Sequence, residues 1–225
     1  MTDLAPNPRA DPPWTHSRYV GLKRRRAGLE SMIARHVAPR GGELVAIDLG
    51  CSSMSYRSLF QPSVSRYLGA DLPENPQADI ALDAQSGRVD CPAESADVII
   101  STQVIEHVES PAAYLAEARR LSKRDGLLLL STHGFWPYHP NPRDYWRWTA
   151  AGLQRQLRNA GWETIECLGV LGLAPRLPCL LRTPFTILMQ GLVACADLAY
   201  DPAGRAENAT LYLVAARPAE VPDEA

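Results

Sequence analysis

The chain is predicted to fold as a doubly wound α/β domain on a mostly parallel sheet. Three observations carry this expectation. Short apolar runs alternate with segments of helical period along most of the chain. Two of the runs, Ala96–Ser101 and Leu127–Leu130, are apolar enough to be buried on both faces, as central parallel strands are. Three successive runs stop at an acid: Asp48, Asp71 and Asp83. An open parallel sheet presents its ligands outside the carboxyl ends of its strands.

The bulk numbers agree. The 225 residues suit one domain with a sizeable core. With 46% hydrophobic and 21% charged residues, the composition is that of an ordinary globular protein. A net charge of -2 gives no reason to expect nucleic acid or an anionic membrane as partner. The five cysteines, at 51, 91, 167, 179 and 195, have neither CxxC nor Cys/His ligand spacing. They read as reduced thiols, with no metal site and no disulfide frame. The N-terminus lacks an apolar signal-peptide core, so a cytoplasmic protein is expected.

Residues 1–17, with Pro6, Pro8, Pro12 and Pro13, read as a flexible tail in which Trp14 could serve as an anchor or lid. A helix is predicted from about Arg18 to Ala38, with Leu22, Leu29, Ile33 and Val37 near one face. Lys23–Arg26 ride on it as a solvated face, or alternatively as a contact to an anionic substrate or lipid. Pro39–Gly42 lead into the first strand, ending at Asp48. A crossover helix around 55–62 precedes the second strand, Tyr67–Ala70. Asp79–Asp83 is the third strand and Ala96–Ser101 the fourth. Ser110–Pro111 form a cap and first-turn pair for a helix to about Ser122, which Gly126 closes. The fifth strand is Leu127–Leu130. Thr149 caps a helix carrying Leu153 and Leu157 and stopped by Gly161; strands at 162–167 and 210–215 follow.

One domain is therefore expected over 18–217, with 218–225 a disordered tail. Within it, 168–206 reads as a helical insertion, lid or dimer face. No charge falls between Arg182 and Asp197, yet this apolar stretch is shorter than the roughly 20 residues of a membrane span. Peripheral membrane contact through 185–196 is the alternative for that segment, and a homodimer is compatible with it.

The strand ends propose a nucleoside. An acid ending the second strand can accept hydrogen bonds from a ribose diol. A third acid, or the amide beside it, can meet a base edge. Gly50 lets backbone approach a ligand without a Cβ in the way. The glycines of a dinucleotide fingerprint are missing, and so is a P-loop lysine, which disfavours a nicotinamide cofactor.

Val45–Cys51, Tyr67–Asp71, Asp79–Asp83 and Ala96–Val108 together resemble the ordered motifs of class I S-adenosylmethionine-dependent methyltransferases, nearest the small-molecule type 11 kind. The resemblance runs from about 43 to 167, and 210–216 fits the family's antiparallel seventh strand. It implies a Rossmann-like seven-stranded sheet, a bound S-adenosylmethionine and methyl transfer to a small molecule. Asp48, Gly50, Cys51 and Ser52 would face the methionine part, Asp71 and Leu72 the ribose, Asp83 and Ala84 the adenine, and Ser101 and Gln103 the floor near the sulfonium. The chain departs from the family where a second glycine usually stands, at Ser52, and where a third often stands, at Met54. Glu106–His107 commonly open a helix in the family and pack; a polar contact to substrate or metal is the other reading.

The loop Ser131–Thr149 should overhang the same crevice. It is rich in aromatics and carries two histidines, an acid and two arginines, so substrate binding is expected of it more than simple connection. His133 and His139 are candidate bases, because neutral imidazole is available near pH 7, with Asp144 to orient one of them. Arg143 and Arg147 could clamp a carboxylate or phosphate, and Tyr138 and Tyr145 would complete the substrate wall. The loop also resembles a segment of methyltransferases encoded among bacterial surface-glycan genes. The expected function is methyl transfer to a small molecule, possibly a sugar or glycan precursor. A cofactor-binding protein of the same fold without transfer activity is the alternative.

Overall fold

The computed structural model describes residues 9–16, 18–138, 140, 142–170 and 209–220. Seven strands form one sheet in the order β3-β2-β1-β4-β5-β7-β6. β1 (Val45–Leu49), β2 (Arg66–Asp71), β3 (Ile80–Ala81), β4 (Ala96–Thr102) and β5 (Ser122–His133) run parallel. β7 (Leu211–Pro218) inserts antiparallel between β5 and β6 (Trp162–Val170). This is the mostly parallel, doubly wound sheet with an antiparallel last strand that the sequence predicts.

Alternation along the central strands builds two cores. Ile100, Leu129 and Leu213 face a layer made by α1 (Tyr19–Met32) and α2 (Arg57–Phe60), with Leu29, Met32 and Phe60 fully buried there. Ile99, Leu128 and Val214 face the opposite layer, α3 (Pro111–Leu121) and α4 (Ala150–Asn159), with Leu115, Leu153 and Leu157. Trp162 is fully buried on that side, and its indole N–H donates to Leu115 O at 3.1 Å. The polar end of the largest buried side chain is thereby satisfied.

The helix ends follow the expected chemistry. Ser110 Oγ accepts from Ala113 N at 3.3 Å ahead of Pro111, and Thr149 Oγ1 accepts from Gly152 N at 3.1 Å. Gly161 adopts φ +79 just past α4, where a side chain would be strained. The first helix is shorter than its apolar period suggests. It widens to a π turn at Ile33–Val37 and tightens to a 3-10 turn at Ala38–Arg40, where Pro39 has no N–H to continue the ladder.

One boundary is corrected. Gly126 does not close α3; the helix stops at Leu121, and Ser122 is already extended and paired with Ala96. The next pairing is Val98 with Leu127, so β5 bulges over Lys123–Asp125. Gly126 serves that bulge: a Cβ there would run into Ser122 Oγ and lie 2.9 Å from Lys123 O.

The predicted insertion at 168–206 begins inside β6, which extends to Val170. Its remainder, with the 185–196 stretch, lies outside the described residues, as do residues 1–8 and 221–225. Residues 9–16 run along α1, where Arg26 donates to Ala10 O at 3.1 Å and Lys23 pairs with Asp11 at 2.7 Å. Trp14 is exposed. Among the described residues no helix is long and apolar enough to cross a membrane.

Candidate active site

The strand order reverses at β1, which has β2 on one side and β4 on the other. Open α/β sheets place their ligand crevice at such a switch point. Here the carboxyl ends of β1, β2, β4 and β5 meet α1 around a cleft of about 490 Å³. Its walls are Gly50–Ser52 after β1, Asp71 on β2, Thr102–Val104 after β4 and His133 on β5.

The turn after β1 is held by β2. Gly50 N donates to Ala70 O at 2.8 Å, and Gly50 adopts φ +71. A Cβ at Gly50 would lie 2.8 Å from both methyl groups of Val104, so only glycine keeps this wall open. Ser52 and Met54 continue the turn at φ 48 and 46, in the left-handed region that favours glycine. The turn is thus formed without glycine at either position, with side chains in a conformation that L-residues disfavour. Asp71 compensates. Its Oδ2 accepts from Ser52 N at 2.8 Å and from Asn75 Nδ2 at 2.9 Å, while Asn75 Nδ2 also donates to Ser52 O at 2.8 Å. The other oxygen, Oδ1, accepts from Leu72 N at 2.9 Å.

This strain is measurable. A left-handed L-residue costs roughly 1–2 kcal/mol, and glycine returns about 0.4–1 kcal/mol of unfolded-chain entropy. Ser52→Gly is therefore expected to stabilise the protein by about 0.5–1 kcal/mol, a rise of about 2 °C in Tm for a chain this size. Thermal denaturation checks it; a lower Tm would mean that the Ser52 side chain supports the turn.

Asp48 lies beneath the cleft and does not line it. It is 3% exposed, its Oδ2 accepts the Tyr67 hydroxyl at 2.7 Å, and its Oδ1 has no hydrogen-bond partner among the described residues. Burial pushes its pKa up to about 7, against the lowering effect of the Tyr67 hydrogen bond. Cys51 lines the cleft, but burial raises its thiol to about 12, so it is no nucleophile at neutral pH. Ser101 is fully buried under the floor and accepts from Tyr114 Oη at 2.8 Å. Gln103 lines the cleft at φ 59, fixed by its N–H to Ser131 O at 2.9 Å. Asp83 sits outside the cleft lining; its Oδ1 accepts from the Ser86 hydroxyl at 2.7 Å and the Gln85 amide at 3.1 Å, and Ala84 is exposed beside it.

The loop after β5 divides in two. His133 lines the cleft, 8% exposed, with its ring stacked on Trp136 at 5.2 Å and 5°. Its Nδ1 faces Glu106 Oε1 at 3.1 Å, inside ion-pair distance but outside hydrogen-bond geometry. Glu106 is fully buried, accepts the Thr132 hydroxyl at 2.9 Å, and is pushed up to about 7 by burial. The acid that meets His133 is therefore Glu106. Asp144 instead pairs with Arg147 through both carboxylate oxygens, and Arg147 also donates to Trp136 O at 2.7 Å and Pro137 O at 2.9 Å. Arg147 thus staples the loop, and it does not line the cleft. Arg143, Tyr138 and Tyr145 are likewise absent from the cleft lining; Tyr138 is 70% exposed. His139 lies outside the described residues. The neighbouring His107 lines the cleft, with Nδ1 2.8 Å from Arg143 O.

The structure places two groups of residues that the sequence reading left undecided. Glu106 was visible as an acid after strand four, but its pairing with a residue 27 positions later was not. Arg18 at the start of α1, Leu22 and Arg25 line the cleft at helical spacing, and of these Arg25 belongs to the basic run Lys23–Arg26. Chemically, the arrangement is a nucleoside-sized cradle at the strand ends beside an imidazole backed by a buried acid. What an adenosyl sulfonium needs is at hand: a glycine turn that a Cβ would fill and a strand-end carboxylate in Asp71.

Comparison with known proteins agrees with this geometry. Residues 22–167 match the family described as "Methyltransferase domain". A probable S-adenosylmethionine-dependent methyltransferase of Mycolicibacterium smegmatis is 28% identical over 155 residues, 62% of this chain and 60% of that protein. The chain thus spans about 60% of the length of the curated relative it matches. The 1,6-didemethyltoxoflavin-N1-methyltransferase of Burkholderia thailandensis, solved with S-adenosylhomocysteine and 1,6-didemethyltoxoflavin, superposes with a TM-score of 0.57 at 15% identity, over 86% of this chain and 77% of that one. An S-adenosylmethionine-dependent methyltransferase from Mesorhizobium loti gives a TM-score of 0.55 at 16% identity, over 86% and 97%. At these identities the two structures establish the fold.

Proposed function

Because this chain belongs to the methyltransferase domain family, of the class I S-adenosylmethionine-dependent kind, we propose that it transfers a methyl group from S-adenosylmethionine to a small-molecule acceptor. A sugar or glycan precursor is the acceptor class that the aromatic loop after β5 favours. The observation that carries the reading is the meeting, in one cleft, of the Gly50–Asp71 cradle and the His133 ring.

Gly50 to Ser52 would hold the methionine end, Asp71 the ribose hydroxyls, and Thr102 to Val104 would form the floor. S-adenosylmethionine, when bound, supplies a sulfonium methyl already activated for displacement. The protein then has to align the acceptor, keep water out and take up a proton. His133 lines the cleft and would take the proton from the acceptor hydroxyl or amine: Trp136 fixes its ring plane and Glu106 faces Nδ1. Glu106 is a positioning residue in this scheme, held in turn by Thr132. The acceptor is met as a free small molecule in the cytoplasm, with no nucleic acid involved.

Calorimetric titration with S-adenosylhomocysteine is expected to give one saturable site per chain. Incubation with S-adenosylmethionine and a panel of sugar phosphates and acidic sugars is expected to give a product 14 mass units heavier than its acceptor. This mass is that of the added methyl less the displaced proton, about 14 Da. Binding without any methylated product would turn the reading to a cofactor-binding protein of the same fold; absence of binding would remove both.

A further inference from the structure

The α1 wall of the cleft is cationic and unclaimed by the proposed cofactor cradle. Arg18, Gly21, Leu22 and Arg25 recur at helical spacing and all line the cleft, and Arg9 joins them from the segment that runs along α1. The basic run splits by its helical phase. Lys23 and Arg26 turn outward onto Asp11 and Glu30, at 2.7 and 2.8 Å. Arg25 turns inward and forms no ion pair among the described residues. Its guanidinium lies over the Tyr56 ring at 5.7 Å, and its Nε is buried with no hydrogen-bond partner among the described residues. A buried donor left unmade is costly unless a ligand completes it. Beside Arg18 and Arg25 the cleft lining offers one carboxylate, Asp71, which already accepts four hydrogen bonds within the protein, and the buried Glu106 behind the lining also attracts Arg25. The chain as a whole is slightly acidic, so this concentration of positive charge is local.

We propose that the acceptor is an anion, carrying a phosphate or carboxylate that Arg25 and Arg18 grip at the α1 wall of the cleft. This rests on the methyl-transfer reading for what happens next, but the binding itself does not. Guanidinium is suited to either group, because its fork matches two oxygens of one oxyanion. The methionine end of the cofactor also has a carboxylate. Its own ammonium balances that charge, so it does not by itself account for both Arg18 and Arg25.

The test is a titration of protein first saturated with S-adenosylhomocysteine, so that any cofactor carboxylate is already in place. Inorganic phosphate is one arm and acetate the other, read by calorimetry and by the rise in Tm. At least one anion is expected to bind saturably, and the tighter arm names the group. Arg25→Gln and Arg18→Gln should each weaken it by about tenfold to a hundredfold, the range for hydrogen bonds to charged groups. Arg124→Gln makes the same charge change at an 89% exposed side chain and should leave it unaltered. Equal binding by wild type and Arg25→Gln overturns the proposal, as does an equal loss in Arg124→Gln. So does weakening of S-adenosylhomocysteine alone, which would assign Arg25 to the cofactor. If S-adenosylhomocysteine fails to bind the wild-type protein, the methyl-transfer reading falls. The anion titrations on the free protein then still decide this one.

Discussion

Replacing His133 with alanine is expected to lower turnover by roughly 10²–10⁴-fold, the usual contribution of a positioned general base. Affinity for S-adenosylhomocysteine should stay within about twofold, because the cradle turn is held by bonds among Gly50, Ser52, Ala70, Asp71 and Asn75. The size of the effect follows from how the ring is held. It is buried, stacked on Trp136, and set against the carboxyl of Glu106 at 3.1 Å. Glu106 also gives the reaction a pH dependence. Burial lifts its pKa to about 7, so it is largely protonated at pH 6 and ionised at pH 8. The ionised form stabilises positive charge on the ring more than the neutral acid does. Turnover should therefore rise with pH through about 7, with the two groups titrating as one unit. Glu106→Gln keeps the shape and should flatten that limb. The same substitution has a stability signature of known sign. An acid whose folded pKa is raised contributes stability that is full below its unfolded value and lost as pH rises through the folded one. Wild-type Tm should thus fall between about pH 4.5 and 7 from Glu106, and Asp48 acts in the same direction. Glu106→Gln should make the fall shallower. An unchanged turnover in His133→Ala with a working acceptor would take base catalysis away from this residue.

The parts of the molecule that local pattern determines were legible from the chain. Strands one, two and four, the Ser110 and Thr149 caps and the Gly161 stop all depend on residues within a few positions of one another. The crevice was legible for the same reason, since acids and a glycine at strand ends are a local signal. What local pattern could not give was the choice among partners distant in sequence. Asp144, eleven residues from His133, was the acid within sequence reach, while Glu106 read only as a packing residue or a contact to substrate or metal. Arg147, three residues from Asp144, took the first of them, and packing of the β4 end beside β5 gave His133 the second. Arg25 shows the same limit. Its four-residue basic run has no internal sign of which side chain faces in; that is set by the phase of α1 against Leu29 and Met32, which are buried in the sheet. Gly126 misled because it follows a helix, and only the pairing of Ala96 with Ser122 reveals that the strand has already begun.

Asp71→Ala should show the larger effect on the cofactor. A carboxylate that receives both hydroxyls of a ribose makes two hydrogen bonds to a charged group, each worth about 1.5–3 kcal/mol. Loss of both raises the Kd for S-adenosylhomocysteine by roughly 10²–10⁴-fold. Asp71 also holds Ser52 N and Asn75 Nδ2, so part of this loss could come from a slackened turn instead of missing ribose contacts. Two further variants separate these causes. Asn75→Ala removes one tie of the turn and leaves the carboxylate, and should weaken binding only a few-fold, on the order of one neutral hydrogen bond. Asp71→Asn keeps an oxygen that can accept from Ser52 N but sets its NH2 against the Leu72 N–H and gives up the charge, so it should lower the Tm less than Asp71→Ala does while losing most of the affinity. If Asn75→Ala is as damaging as Asp71→Ala, the carboxylate matters as a brace for a turn whose Ser52 and Met54 sit where glycine is at ease. Direct ribose binding then has no claim on it. If Asp71→Ala leaves affinity within about threefold, well under the value of a single charged hydrogen bond, the end of β2 is not where the nucleoside is held.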